Sequence, residues 1–205
     1  MRNALVTKAN ILKAAEDEFS AKGIYGARVE EIAKKSGCNK RMIYEYYGDK
    51  EELYKTVLEN AYKRLGDKEK TLLVNVTDCK KAIESILRMY YDFLKIDESF
   101  VNLIMWENLN KAEYIKSSKK LSTVKNPLFE DLHKILEKGK AEGVFRQDID
   151  EEQIAVLLIT ISFSYFSNVH TLSHLMNINL SESDKMKKRV DMVVEMIINY
   201  MVQKD

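Results

Sequence analysis

The residues with the most chemistry to offer lie in one string, RVEEIAKKSGCNKRMIYEYYGDK, running from Arg28 to Lys50. Lys40, Arg41, Met42, Tyr44, Glu45 and Tyr46 crowd its second half, Asn39 stands just before them, and Arg28 and Lys50 flank them. Cations and phenol hydroxyls donate to phosphate oxygens, an arginine fork matches O6 and N7 of guanine, and apolar groups meet the thymine methyl. Tyrosines and a methionine have little to do on a bare surface, whereas a duplex offers each of them a contact. Presenting such a face takes a short helix, a tight turn with glycine, and a second helix that enters the major groove. Val29, Ile32 and Ala33, at i, i+3 and i+4, give the first helix its packing face, and Gly37 supplies the turn. Asn39 is a good N-cap for a second helix over about Lys40 to Tyr47, anchored inward by Ile43 and Tyr47. Glu45 is the odd member near phosphates. Either it pairs with Lys40 or Arg41, as ion pairs one turn apart commonly do on helices, or it accepts from a cytosine amine.

Other residues with chemical capacity do not assemble into sites. His170 and His174 are four apart on one expected helix, but no glutamate separates them, no Cys cluster accompanies them, and His133 is the remaining histidine. No metal is expected. Cys38 suits a small apolar position beside the turn, and Cys38 with Cys79 is too little for a disulfide framework, which fits a reducing, cytoplasmic setting. No nucleophile–base pair and no Gly-rich phosphate loop is visible, so no catalytic residue and no cofactor is expected. No signal peptide is visible either, since Met1 leads into a charged amphipathic segment. The most apolar stretch, Ile154 to Phe166, is broken by Thr160, Ser162 and Ser164 and is shorter than the roughly 20 residues of a bilayer span. It reads as a buried helix, and no membrane partner is expected.

The elements that must position the 28–50 string are helical. One proline and seven glycines in 205 residues leave long stretches free of breakers, so the class is all-α. Overall charge is +1, but residues 1–66 carry 13 Lys+Arg against 10 Asp+Glu, a net of +3, and the rest carry 20 against 22, a net of −2. About nine helices are expected. The first, capped by Thr7, carries Ile11, Ala15 and Phe19 and stops near Gly23; the next two form the pair above. Asp49 caps a fourth carrying Leu53, Val57, Leu58, Ala61 and Leu65 as far as Gly66, and a polar stretch follows to Asp78. Ile83 to Leu94 marks a fifth and Phe100 to Trp106 a sixth, while Lys111 to Lys125 looks least ordered. A seventh opens at Asn126-Pro127 and runs to Gly143, where Val144 and Phe145 fold back on it. An eighth, capped by Asp150 with Gln153, continues through His174, and a ninth, capped by Ser181, reaches the end of the chain. The expected division is a helix-turn-helix domain over 1–48 and a ligand-binding and dimerisation domain over 49–205, linked through the helix of about 50–66.

Together the strings ILKAAEDEFSAKGI and VEEIAKKSGCNKRMIYEYYGDKEELYKTVL, within about residues 7–60, resemble the TetR family of bacterial regulators in order and spacing. The resemblance implies that Lys40, Tyr44 and Lys50 are phosphate contacts and that Arg41, Met42 and Tyr46 reach base edges or the groove. Asn39 belongs with them at the start of the recognition helix. Many members have threonine at the position of Ala27, so the resemblance implies that a phosphate contact or a cap is missing there, for which Arg28 beside it could compensate. Arg41 replaces a glycine or small residue of many members. Beyond residue 66 the resemblance weakens, although FVNLIMWENLNKAEYI and EGVFRQDID look like a subgroup of the family.

In the body, Tyr90, Phe93, Met105, Trp106, Phe129, Phe163 and Phe166 are large and apolar on helices expected to converge. Each could simply be core. Several together could line a cavity for a small-molecule effector, with Asn108 and His170 among the polar groups that orient it. Leu157, Ile161, Leu172, Val190, Val194, Ile197 and Met201 suit a four-helix interface between two copies, which the resemblance also implies. The function expected is a dimeric repressor that binds an inverted-repeat DNA operator and is released by its effector. The alternatives are a helical adapter that never touches DNA and an enzyme using the bundle cavity.

Overall fold

The computed structural model describes residues 2–72, 78–121 and 127–203, and for residues 2, 3, 127 and 128 it describes the backbone alone. Among the described residues there are eleven helices and no strand: α1 (Arg2–Gly26), α2 (Val29–Ser36), α3 (Lys40–Tyr47), α4 (Lys50–Leu72), α5 (Cys79–Ile96), α6 (Glu98–Leu109), α7 (Glu113–Ser117), α8 (Pro127–Ala141), α9 (Glu151–Ser167), α10 (Val169–Leu175) and α11 (Ser183–Met201). The two beyond the expected nine have local causes. α7 is a short helix inside the lysine- and serine-rich segment. The expected eighth helix is two, α9 and α10, bent by 63° at Asn168. There the Asn168 side chain donates to the Ser164 carbonyl at 2.9 Å and competes with the backbone for the acceptor that would continue the helix. α4 passes through Gly66 rather than stopping there. α1 begins before Thr7, and α11 begins after Glu182 rather than with a Ser181 cap. The expected cap at Asn126 lies outside the described residues. No single described helix is long and apolar enough to cross a membrane.

Packing divides the chain into two compact units, Met1–Arg64 with Asp97–Val124, and Leu65–Ile96 with Lys125–Asp205. This differs from the division at residue 48, because most of α4 and all of α6 and α7 pack with the N-terminal helices. In the first unit Ile11, Ala15, Phe19, Ile32, Ile43, Leu53, Val57, Leu58 and Leu103 are buried, each large side chain contributing about 1.5–3 kcal/mol of hydrophobic stabilisation. Tyr54 sits edge-on to Phe19 and Tyr114, with ring centroids 5.0 and 5.2 Å away. α6 lies on α1 through Trp106, whose Nε1 donates to the Ser20 carbonyl at 3.1 Å. Its indole covers Gly23, where a Cβ would come within 2.7 Å of the ring and where φ is +65°, so glycine is required twice over. Arg64 fastens three elements. It reaches Glu16 of α1 at 2.5 Å and Asp97, the N-cap of α6, at 2.8 Å, and the Ser99 hydroxyl stands between the two carboxylates within hydrogen-bond distance of each, 2.6 and 2.8 Å, with one proton to share.

The second unit is built around α5, which meets α8, α9 and α11. Ile83, Ile86, Leu87, Tyr90, Tyr91, Phe93 and Leu94 of α5 are buried with Leu132, Leu136, Phe145, Leu158, Val190, Val193 and Ile197. The α8–α9 connection is tied to the end of α11: the Arg146 N–H donates to the Met201 carbonyl at 3.0 Å and the Gln203 N–H to Val144 at 3.2 Å.

Candidate functional site

The helix-turn-helix is assembled as its local chemistry dictates. Val29, Ile32 and Ala33 are buried, and Gly37 closes α2 in the left-handed region at φ +69° with nothing near its absent Cβ, so backbone conformation alone selects glycine. Asn39 Oδ1 accepts from the Met42 N–H at 2.9 Å and caps α3, and Asp49 caps α4 by accepting from the Glu52 N–H at 2.8 Å. Ile43 is buried beneath α3, and Tyr47 donates to the Lys8 carbonyl at 2.8 Å. Burial pushes the Tyr47 phenol up from its ordinary range.

With α3 anchored this way, Lys40, Arg41, Tyr44 and Glu45 are exposed and Met42 and Tyr46 half-buried, and Arg28, Asn39 and Lys50 sit at the neighbouring helix starts. The eight residues expected to face DNA therefore share one region of the first unit. Arg41 makes no ion pair among the described residues, so its guanidinium is available. The expected pairing of Glu45 with Lys40 or Arg41 does not form. Lys40 instead binds Glu30 of α2, and Glu45 has no partner among the described residues. A phosphate must therefore displace Glu30 to engage Lys40. The Lys8 ammonium stands 5.1 Å from the Tyr46 ring centroid, which adds a cation to this face.

Behind the face, Glu18 is fully buried and braces α1 against α2. It accepts from Lys22 at 2.7 Å, Lys35 at 2.9 Å and the Arg28 N–H at 3.4 Å. Burial alone would raise its carboxyl, but these three donors outweigh burial and hold it down at about 2.

The residues expected around an effector are divided between the two units. Tyr90, Phe93, Phe129, Phe163, Phe166 and His170 belong to the second unit, whereas Met105, Trp106 and Asn108 belong to the first. Trp106 is engaged with Ser20 and Gly23, and Met105, Asn108, Phe129 and His170 are exposed. Within the second unit Phe166 packs on Tyr91 and Tyr165, with centroids 5.8 and 5.3 Å away, and Tyr90 and Phe93 are buried on one face of α5. Among the expected interface residues, Val190, Val194, Ile197 and Met201 are buried in the second unit's own core and present nothing to a partner. Ile161 is half-buried. Leu157 and Leu172 are exposed, along with Val156 of α9 and Met192, Met196 and Tyr200 at i, i+4 and i+8 on α11. The apolar stripe of α11 is wide enough to serve as core on one side and surface on the other, and periodicity alone misjudged which side is which.

One polar residue escaped sequence reading altogether. Glu69, in the stretch expected to be polar and non-helical, is 5% exposed on α4 and accepts from the Tyr90 hydroxyl at 2.6 Å. The signal was the spacing of Ala61, Leu65, Glu69 and Leu72, which continues the buried face of α4 beyond Gly66.

Comparison with known proteins agrees with this architecture. A family model described as bacterial regulatory proteins of the tetR family matches residues 11–57, and one described as a tetracyclin repressor-like C-terminal domain matches residues 80–197. The chain is 33% identical over 176 residues to the HTH-type transcriptional repressor NicS of Pseudomonas putida, covering 86% of this chain and 83% of that one. In fold it is similar to the ketosteroid transcriptional regulator KstR2 of Mycobacterium tuberculosis, with a TM-score of 0.72 at 13% identity over 96% of this chain and 95% of that one. It is also similar to a transcriptional regulator, SCO4942, of Streptomyces coelicolor, with a TM-score of 0.70 at 20% identity over 95% and 98%. A capped recognition helix in the matched N-terminal segment and a helical unit in the matched C-terminal one lead to one assignment: the chain belongs to the TetR family and is a ligand-responsive, DNA-binding transcriptional regulator rather than an enzyme.

Proposed function

We propose that the chain is a cytoplasmic repressor that binds an inverted-repeat operator as a homodimer and leaves it when a small-molecule effector occupies the second unit. The observation that carries this reading is the exposed face of α3, with a free Arg41 and Tyr44 beside Lys40, held rigid by the Asn39 cap, buried Ile43 and the Tyr47 anchor. The negative sign of the response is supported by the likeness to NicS, itself named a repressor. A two-fold dimer presents two recognition helices about one DNA turn apart, which calls for an inverted repeat. Effector binding reaches α3 through α4, which starts at Lys50, and a coupling of about 1–3 kcal/mol between the two ligands is enough.

Selection of bound sequences from a random DNA pool by the purified chain, at fixed salt and without added ligand, tests this. An enriched inverted repeat is the expected result; enrichment of none by folded protein refutes DNA readout. On the selected operator, Arg41→Ala costs about 1–3 kcal/mol and relaxes preference at one base step, while Lys50→Ala weakens all sequences alike and lowers the salt slope by about one unit.

A further inference from the structure

Four carboxylates are buried among the described residues, and the protein treats them differently. Glu16 is neutralised by Arg64 and Glu18 by Lys22 and Lys35; Glu107, in the first unit, has no cation among the described residues, and one of its oxygens accepts the Ile115 N–H at 3.1 Å and closes the α6–α7 loop while the other is buried without a partner. Glu69 is the one charged side chain buried in the second unit among the described residues, and no Lys, Arg or His pairs with it. A carboxylate offers about four acceptor positions, and the Tyr90 hydroxyl uses one. The further charge that acts on it is another carboxylate, Asp131 of α8. Burying a carboxylate without a counter-charge costs several kcal/mol, far more than one phenol hydrogen bond returns. Burial accordingly raises the Glu69 carboxyl; the Tyr90 hydrogen bond offsets part of this, and Asp131 adds to it. No set of three acidic, His or Cys groups suited to a metal ion occurs among the described residues, so Glu69 and Asp131 do not make a metal centre.

We propose that the effector carries a cationic nitrogen, an ammonium or amidinium group, and that Glu69 with Tyr90 receives it. The inference rests on the regulator reading above. Such a group supplies a donor to the oxygen positions of Glu69 that no described residue fills and a counter-charge that no described residue provides. Tyr90 and Phe93, one turn apart on the same buried face of α5, favour aromatic or apolar substituents on that nitrogen. Because α4 is one unbroken helix from Lys50 to Leu72, an effector held by Glu69 acts on the helix that follows α3 directly.

The test uses the full chain at pH 7 with matched probes: propylamine through octylamine beside the corresponding alcohols and carboxylates, and benzamidine beside benzamide and benzoate. Melting temperature and titration calorimetry are expected to show binding of cationic members in preference to their neutral and anionic matches. Glu69→Gln, which keeps the shape, is expected to weaken cation binding on the order of thirtyfold or more, and Tyr90→Phe by about tenfold. Without any probe, Glu69→Gln is expected to melt no lower than wild type at pH 7, since it removes an uncompensated buried charge. The proposal is overturned if no cationic probe outperforms its neutral match, if Glu69→Gln keeps the preference, or if that variant melts lower because the charge is compensated after all. Binding of the same preparations to the selected operator separates the two readings. Protein that holds its operator but ignores cations loses this inference alone, and protein that enriches no operator loses the regulator reading whatever the amines do.

Discussion

At the scale of single residues, local chemistry was legible and distant chemistry was not. Asn39, Asp49 and Asp150 each cap a helix by bonding an N–H three positions on, a relation that sequence spacing states outright. Glu18 was invisible as a brace because its partners Arg28 and Lys35 are brought to it only when α2 folds against α1. The structure makes it a titrating support of the helix-turn-helix. Its carboxyl is depressed in the folded state to about 2, so the stability it contributes is fully present above the ordinary carboxylate range of about 4.3 and is lost as pH falls from there through about 2. Lys22 and Lys35 are about half exposed, so solvent screening trims the pair energies. Glu18→Gln is expected to cost about 1–2 kcal/mol at pH 7, read as a lower urea midpoint with unchanged slope. The deficit should shrink as wild type is acidified through that window. A deficit that stays constant down to pH 2 would mean the brace is steric rather than ionic.

At the scale of elements, periodicity identified buried faces but could not name what they would be buried against. Ile11, Ala15 and Phe19 of α1, Leu53 to Leu65 of α4 and Ile83 to Leu94 of α5 are core as their spacing indicates. Trp106 looked like the lining of an effector cavity, whereas α6 lies along α1 and the indole is spent on Ser20 and Gly23. Arg64 shows the same limit, since nothing in its surroundings in the chain points to Glu16 or Asp97. Removing the guanidinium leaves two mostly buried carboxylates facing each other across Ser99, so Arg64→Met is expected to cost about 3–5 kcal/mol, somewhat less because Arg64 is one-third exposed. The double variant Glu16→Gln with Asp97→Asn removes the orphaned charges and should restore much of the loss when combined with Arg64→Met. A thermal melt of the triple variant as low as that of Arg64→Met would show that the orphaned carboxylate charges do not account for the loss.

At the scale of the whole molecule, the all-helical class and the order of a DNA-reading segment before a helical body were legible, while the residues expected at the proposed contact between two copies divide between surface and core. Leu157 and Leu172 are exposed as a partner contact requires, but Val190, Val194, Ile197 and Met201 already fill the core beneath α11. The exposed stripe of the same helix is Met192, Met196 and Tyr200, with Val156 and Leu157 exposed on α9, and an apolar stripe rimmed by polar residues is what an isologous helix interface uses. Two substitutions one position apart on α11 distinguish these roles. Met196→Glu places a charge in the proposed contact and is expected to convert dimer to monomer in sedimentation equilibrium, with the helical circular dichroism signal intact and operator binding lost because a monomer engages one half-site. Ile197→Ala empties a core position and is expected to lower stability by about 2–5 kcal/mol while the protein stays dimeric until it unfolds. If Met196→Glu remained dimeric at micromolar concentration, α11 would not carry the two-fold contact, and Leu157 and Leu172 would have to supply it from α9 and α10 alone.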